Sequence, residues 1–235
     1  MKSLAIALLC SLCWFGSAMA SSLEITPILV EFQAANQAQT ITITNRSTQP
    51  TRVQIRVFAW TQPAGEDRYE PATDIVFSPP FADIAAGERQ VVRLVSRQAV
   101  PRGREQAYRI FVDELPSGRG AGIEIPLRIL VPMFIGVAES HKPMLAWSAR
   151  LIAPDRLELT ARNAGARRLR VSGLHVMSSG AVLSPPMPAA TVLSNGEYRW
   201  ILALRRQGLR SGGTIALRAD SSDGPIDANV SVAGP

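Results

Sequence analysis

From Ile123 to Val137 the chain reads IEIPLRILVPMFIGV, and Ile123, Ile125, Leu127, Ile129, Val131, Met133 and Ile135 place an apolar side chain at every second position. That is the period of a strand, whose side chains alternate between two faces. Strands average about 5–6 residues, so this one is long. The other face carries Glu124, Pro126, Arg128 and Pro132. Proline cannot donate to a ladder, so two prolines predict an edge strand or a broken one. A long apolar edge is a liability that proteins normally cover or blunt. One that is kept predicts a partner that pairs with it.

The first residues read as a secretory signal. Lys2 supplies the positive start, Leu4 to Phe15 a short apolar run, and Ala18-Met19-Ala20 an A-x-A cleavage site. The apolar run is shorter than the roughly 20 residues a bilayer span needs. The expected mature chain therefore starts at Ser21, is exported and is not inserted in a membrane. Both cysteines, Cys10 and Cys13, lie in the signal. The mature chain then holds no thiol and no disulfide, which excludes thiolate chemistry and leaves core burial to hold the fold.

The net charge of +6 is mostly arginine. Arg52, Arg56, Arg93, Arg97, Arg109, Arg128, Arg162 and Arg170 are spread along apparent strands, and no basic block interleaves with aromatics. Nucleic acid is therefore not an expected partner.

Short alternating runs sit between turn signals. They are Leu23 to Phe32 (interrupted at Pro27), Gln39 to Asn45, Thr51 to Trp60, Ile75 to Phe77, Arg89 to Val95, Ala107 to Glu114, and the long strand after a glycine-rich loop at 117–122. Seven strands in roughly 115 residues predict an immunoglobulin-like sandwich. Glu139 to Pro143 reads as a linker. Beyond it, Arg150 to Ile152, Arg156 to Asn163, Leu169 to Val176, Ala181 to Leu183, Tyr198 to Leu204, Gly213 to Ala219 and Ala228 to Val232 are the strands of a second β-sandwich. The expected organisation is a signal over 1–20, one domain over 21–139 and another over 140–235.

Catalytic signals are missing. The two histidines, His141 and His175, fall in the linker and in a strand, and no HExxH, GxSxG or P-loop pattern occurs. Asp113 and Glu114 are adjacent on a strand and so point to opposite faces, poor geometry for paired acid–base work. Asn45-Arg46-Ser47 fits a glycosylation sequon, a pattern that often arises by chance. The reading is a non-enzyme with no metal and no cofactor.

Two stretches resemble a known family. From Phe77 to Leu94 the chain reads FSPPFADIAAGERQVVRL, and from Tyr108 to Pro116 YRIFVDELP. The first resembles the proline-pair and "P-G-x-x-Q-x-V-R" run that enters the fourth strand of the PapD-like pilus-assembly chaperones. The second resembles their sixth strand, and the long alternating strand sits where theirs places the seventh. Val131-Pro132-Met133-Phe134 and the cysteine-free mature chain look most like the archaic (sigma-type, spore-coat-protein-like) branch.

The resemblance implies two immunoglobulin-like domains in an L, a periplasmic location, pilin subunits as partners and delivery to an outer-membrane usher. It implies donor-strand complementation, in which Ile123, Ile125, Leu127 and Ile129 fill the groove of an incomplete subunit sandwich. It also implies a basic anchor for the subunit's C-terminal carboxylate. The first-strand arginine of the best-known members falls on Pro27 here, and their seventh-strand lysine on Pro132. Arg109 is then the first candidate and Arg128 the second, because an arginine fork pairs with both carboxylate oxygens. Glu114 and Asp220 match the acidic members of the family's interdomain salt bridge, whose arginine falls near Ile135. A dimer that caps the strand of the free protein stays open. The rival reading is an exported immunoglobulin-like binding module for glycans or surface proteins.

Overall fold

A computed structural model of the chain describes residues 23–33, 37–98, 103–116, 125–136, 138, 140–185, 187–204 and 209–234. The signal sequence, the glycine-rich loop and Ile123 lie outside the described residues.

The first unit contains β1 (Leu23–Thr26), β2 (Val30–Phe32), β3 (Ala38–Asn45), β4 (Thr51–Thr61), β5 (Arg68–Pro71), β6 (Ile75–Ser78), β7 (Phe81–Ile84), β8 (Arg89–Ser96), β9 (Gln106–Leu115) and β10 (Arg128–Ile135). One sheet runs β1-β3-β8-β6 and the other β2-β10-β9-β4-β5, with β7 beside β4. The inward positions of the alternating runs meet between the sheets: Phe32, Ile41, Ile43, Ile55, Leu94, Ile110, Met133 and Ile135 are fully buried. The expected break at Pro27 is where the chain leaves the first sheet and joins the second.

The second unit contains β11 (Leu145–Ala153), β12 (Arg156–Asn163), β13 (Leu169–Ser178), β14 (Ala181–Val182), β15 (Ala190–Val192), β16 (Glu197–Ala203), β17 (Thr214–Ser221) and β18 (Gly224–Ala233). Its strands run β14-β13-β17-β18-β11-β12-β16, with β15 on β13, and they close around one core of Leu157, Leu159, Leu174, Val176, Ile215 and Leu217. Both units are all-β sandwiches, as expected.

Three strands were not anticipated: β5, β7 and β15. Each is short and pairs one edge of a longer strand, so it carries too little alternation to read. β11 is longer than expected. The long strand is shorter: β10 begins at Arg128, and residues 125–127 are irregular.

Asn45 and Asn163 end strands in the two units and do the same work. Asn45 Nδ2 donates to the carbonyls of Gln49, Ile84 and Ala85, and its Oδ1 accepts from the Ser47 amide. Asn163 Nδ2 donates to Arg167 and Val192 carbonyls, and its Oδ1 accepts from Met144 and Gly165 amides. Both side chains are buried, and each satisfies the backbone of a turn that has no ladder of its own. The sequon is thus a structural asparagine.

Candidate functional site: an open strand edge beside a cleft arginine

β10 pairs with β9 along its whole length, from Arg128 opposite Asp113 to Ile135 opposite Gln106. On its other side it meets β2, in parallel, only at Met133 to Ile135. Among the described residues, the first half of β10 has a neighbour on one side alone.

The backbone direction of this edge follows from one bond. Glu114 donates its amide to the Leu127 carbonyl at 2.8 Å, which makes these two a hydrogen-bonded antiparallel pair. Ile129 and Val131 therefore also turn their backbone toward β9. Arg128, Leu130 and Pro132 turn theirs toward the open side. Side chains grade along the same stretch. Val131 and Met133 are buried, Ile129 packs partly on the core, Leu127 is 38% exposed and Ile125 84%. Across three of the four expected donor residues, Ile129, Leu127 and Ile125, exposure thus rises away from the core.

The outer face of the same sheet is floored by aromatics. Phe58 and Phe111 rings lie 4.7 Å apart, and Tyr69 stands edge-on to Phe111 at 5.4 Å. Arg109 projects from β9 opposite Phe58 and Pro132. Its guanidinium carbon lies 3.8 Å from the centre of the Trp60 ring, and its Nε is buried without a hydrogen-bond partner. Trp60 itself belongs to a small cluster with Phe134 and with Leu193 of the second unit. Arg109 is therefore a stacked cation at the junction of the two units. Burial raises the Tyr69 hydroxyl above its ordinary pKa, and the nearby Arg109 opposes that rise.

Arg128 is differently placed. It pairs with Asp113, which also takes a 2.6 Å bond from Arg56. Burial alone would push the Asp113 carboxyl up, but the bonds from Arg128 and Arg56 outweigh it and hold the group below its usual range. Arg128 and Arg109 share a face. Arg128 lies opposite Asp113, four positions from Arg109, which is about 14 Å on an extended chain. They do not converge on one carboxylate.

Ion pairs that span the two units come from residues the sequence did not single out. Glu114 accepts from the Thr51 hydroxyl at 2.9 Å and from the Leu127 amide at 3.2 Å, both in its own unit. Asp220 is exposed on β17, opposite Ser172, with no ion pair to the first unit among the described residues. Arg168 does the clamping instead. It pairs with Glu31 and, at 2.7 Å, with Glu105, and its guanidinium carbon stands 3.7 Å over the Phe134 ring. All three contacts are in the first unit. Glu105 is 4% exposed, and desolvation raises its pKa despite Arg168. Arg199 pairs with Glu66, the residue that follows the 3-10 turn Pro63–Gly65. Gly65 approaches so closely that an added Cβ would stand 2.6 Å from Arg199 Cβ. No sequence signal marks these residues, because each partner lies across the junction, far away in sequence.

Among the described residues, no group of three or more His, Cys, Asp or Glu could hold a metal ion, and no helix is long and apolar enough to cross a membrane.

Residues 22–136 match a family described as pili and flagellar-assembly chaperone, PapD N-terminal domain. No curated protein sequence matches the chain. Among solved structures, the archaic Csu chaperone CsuC of Acinetobacter baumannii, from its complex with the tip adhesion subunit CsuE, aligns with a TM-score of 0.66 and 28% identity, covering 91% of this chain and 99% of that one. The CupB2 chaperone of Pseudomonas aeruginosa aligns with a TM-score of 0.56 at 13% identity, over 89% and 100% of the two chains. The complex of the SafA pilin with the SafB chaperone of Salmonella enterica aligns at 0.58 and 16%, over 89% and 96%. The last two likenesses speak for the fold alone. With the sheet order, the edge strand and the family match in agreement, the chain belongs to the PapD-like pilus-assembly chaperones.

Proposed function

We propose that this protein is a periplasmic chaperone of the archaic chaperone–usher branch, which holds pilin subunits by lending them the free edge of β10 and passes them to an outer-membrane usher. The observation that carries this reading is the half-paired strand, with Leu127 and Ile125 increasingly exposed along it. A sandwich that lacks its last strand leaves an open core groove. Pairing with the β10 edge satisfies its backbone, and alternate apolar side chains fill it. Each side chain that becomes fully buried contributes about 1.5–3 kcal/mol before ordering costs. Ile123 would extend the same series by one step. The complex of CsuC with a tip subunit supports a subunit as the partner.

Arg109 is the proposed carboxylate anchor. A stacked guanidinium with no carboxylate partner among the described residues gains by receiving an anion, and charge-assisted bonds of this kind are about twice as strong as neutral ones. Arg128 is the weaker candidate, since Asp113 already neutralises it. The domain division at 139/140, signal removal after Ala20 and export belong to the same reading.

The test is co-expression of the protein with a pilin subunit from its own locus. A one-to-one complex should form, and Arg109→Ala should abolish it without unfolding the chaperone. A stable protein that ignores every such subunit would point to an exported binding module instead. Unchanged capture by Arg109→Ala would remove the anchor assignment.

A further inference from the structure

A chain of hydrogen bonds runs from the second unit to the stacked arginine. Gln62 is buried and spans the junction. Its Oε1 accepts from the Leu193 amide at 2.9 Å, and its Nε2 donates to the Thr191 carbonyl at 2.7 Å. The same Nε2 donates to Asp67 Oδ1 at 2.8 Å. Asp67 Oδ1 also accepts the Trp60 indole N–H at 2.8 Å, and Asp67 Oδ2 accepts the Tyr69 hydroxyl at 3.3 Å. Trp60 is the platform under Arg109, and Tyr69 stands beside it. Among the described residues, Arg109 makes no hydrogen bond or ion pair to the second unit. Its geometry is set by two aromatic groups that one carboxylate holds, and an amide bonded to the second unit holds that carboxylate.

We infer that Gln62 and Asp67 are positioning residues that couple the seating of the second domain to the anion-binding geometry of Arg109. The inference rests on the anchor reading above. Two features make the coupling physical. Gln62 uses both ends of its amide across the junction, so a shift of β15 or Leu193 must strain or break those bonds. A buried amide left unpaired is costly, so the bonds persist as a set or are lost as a set. Asp67 Oδ1 is shared between Gln62 and Trp60, so loss of the Gln62 bond releases the carboxylate from its fixed position and lets the indole bonded to it move with it. A displaced indole then removes the face on which the guanidinium is stacked. Linkage makes the effect reciprocal: an anion held by Arg109 must tighten the Gln62–Leu193 contact to the degree that this contact tightens the anion.

The experiment uses the full-length mature protein and a synthetic strand peptide of alternating valine and threonine, made once with a free C-terminal carboxylate and once amidated. The ratio of the two affinities isolates the carboxylate. In the native protein the ratio should be about tenfold or more, as expected for a charge-assisted bond. Hydrogen exchange at the Leu193 amide should slow when the free-acid peptide binds and not when the amidated one does. In Gln62→Leu and Asp67→Ala the ratio should fall toward one, with affinity for the amidated peptide unchanged, because the β10 edge is untouched. Asp67→Asn keeps the Oδ1 acceptor and should recover most of the ratio. A purely structural role would lower both affinities together. Equal discrimination in Asp67→Ala and the native protein, or a Leu193 amide indifferent to the free acid, overturns the relay alone. A native protein that does not distinguish the two peptides overturns the anchor reading, and the relay with it.

Discussion

The two domains are built alike and end differently. In each, a buried asparagine ties the turn after a strand, and an early strand meets the last in a short parallel pairing: β2 on β10 at three positions, β11 on β18 at two. Each last strand therefore has a stretch with one unpaired side. β18 is pinned at its start by a tight hairpin, Ser221 opposite Gly224, and its outward residues are Pro225, Asp227 and Asn229, with Ile226 and Ala228 half-buried inward. The approach to β10 instead holds Ile125 and Leu127 exposed. An open edge alone is thus not what distinguishes the first domain. The distinction is an open edge whose apolar side chains are not yet committed to the domain's own core, whereas polar outward residues and a pinned start blunt the other.

The sharpest way to break this contrast is a matched pair of charges. Leu127→Glu should abolish subunit capture while unfolding stability stays within about 0.5 kcal/mol, because the side chain is exposed. Ile226→Glu should do the reverse, with capture retained and about 1–3 kcal/mol of stability lost as a half-buried position turns polar. Pull-down and urea titration read the two. Capture lost in Ile226→Glu and kept in Leu127→Glu would move the lending edge to the second domain.

Next comes the junction. Arg168→Ala leaves the buried Glu105 carboxylate without its cation, and breaking such a pair costs about 3–5 kcal/mol. The melting transition should drop and split into two, one for each domain. A single unshifted transition would show that the clamp is idle. Then the shared device: Asn45→Ala and Asn163→Ala each strand buried carbonyls and amides. Each should cost about 1–3 kcal/mol per group left unpaired, by equal amounts in the two domains. An asymmetric loss would mean that one turn has another support.

The resemblance to the chaperone family and the period-2 runs made the sandwiches, the break at Pro27 and the inward apolar face of β10 legible, since each is local along the chain. The start of β10 was not, because alternation continues through residues 123–127 whether or not a neighbour pairs with them. The clamp was wholly hidden. Arg168, Glu105 and Gln62 carry no periodicity and find their partners only when the domains meet. Glu114 lies in a recognisable strand, and two of its bonds, from the Thr51 hydroxyl and the Leu127 amide, sit next to the edge itself.

The smallest expected effect separates the two buried carboxylates of the first domain by the sign of their pH dependence. Asp113 is held below its ordinary value, so its contribution is complete above about pH 3.9 and is lost as pH falls through the depressed value. Glu105 is raised, first by burial, with Arg168 and Arg167 opposing. From about pH 4.3 up through that raised value the native state binds more protons than the unfolded chain, so stability falls as pH rises across the window. Glu105→Gln removes the titration and leaves a neutral side chain that still accepts from Arg168. The slope above pH 4.3 should flatten, while the acid limb due to Asp113 is unchanged. Denaturant titrations across that range decide it. An unaltered slope would mean that Arg168 and Glu31 hold the clamp with Glu105 already charged at no cost, and that the junction is stabilised by stacking on Phe134 more than by its charges.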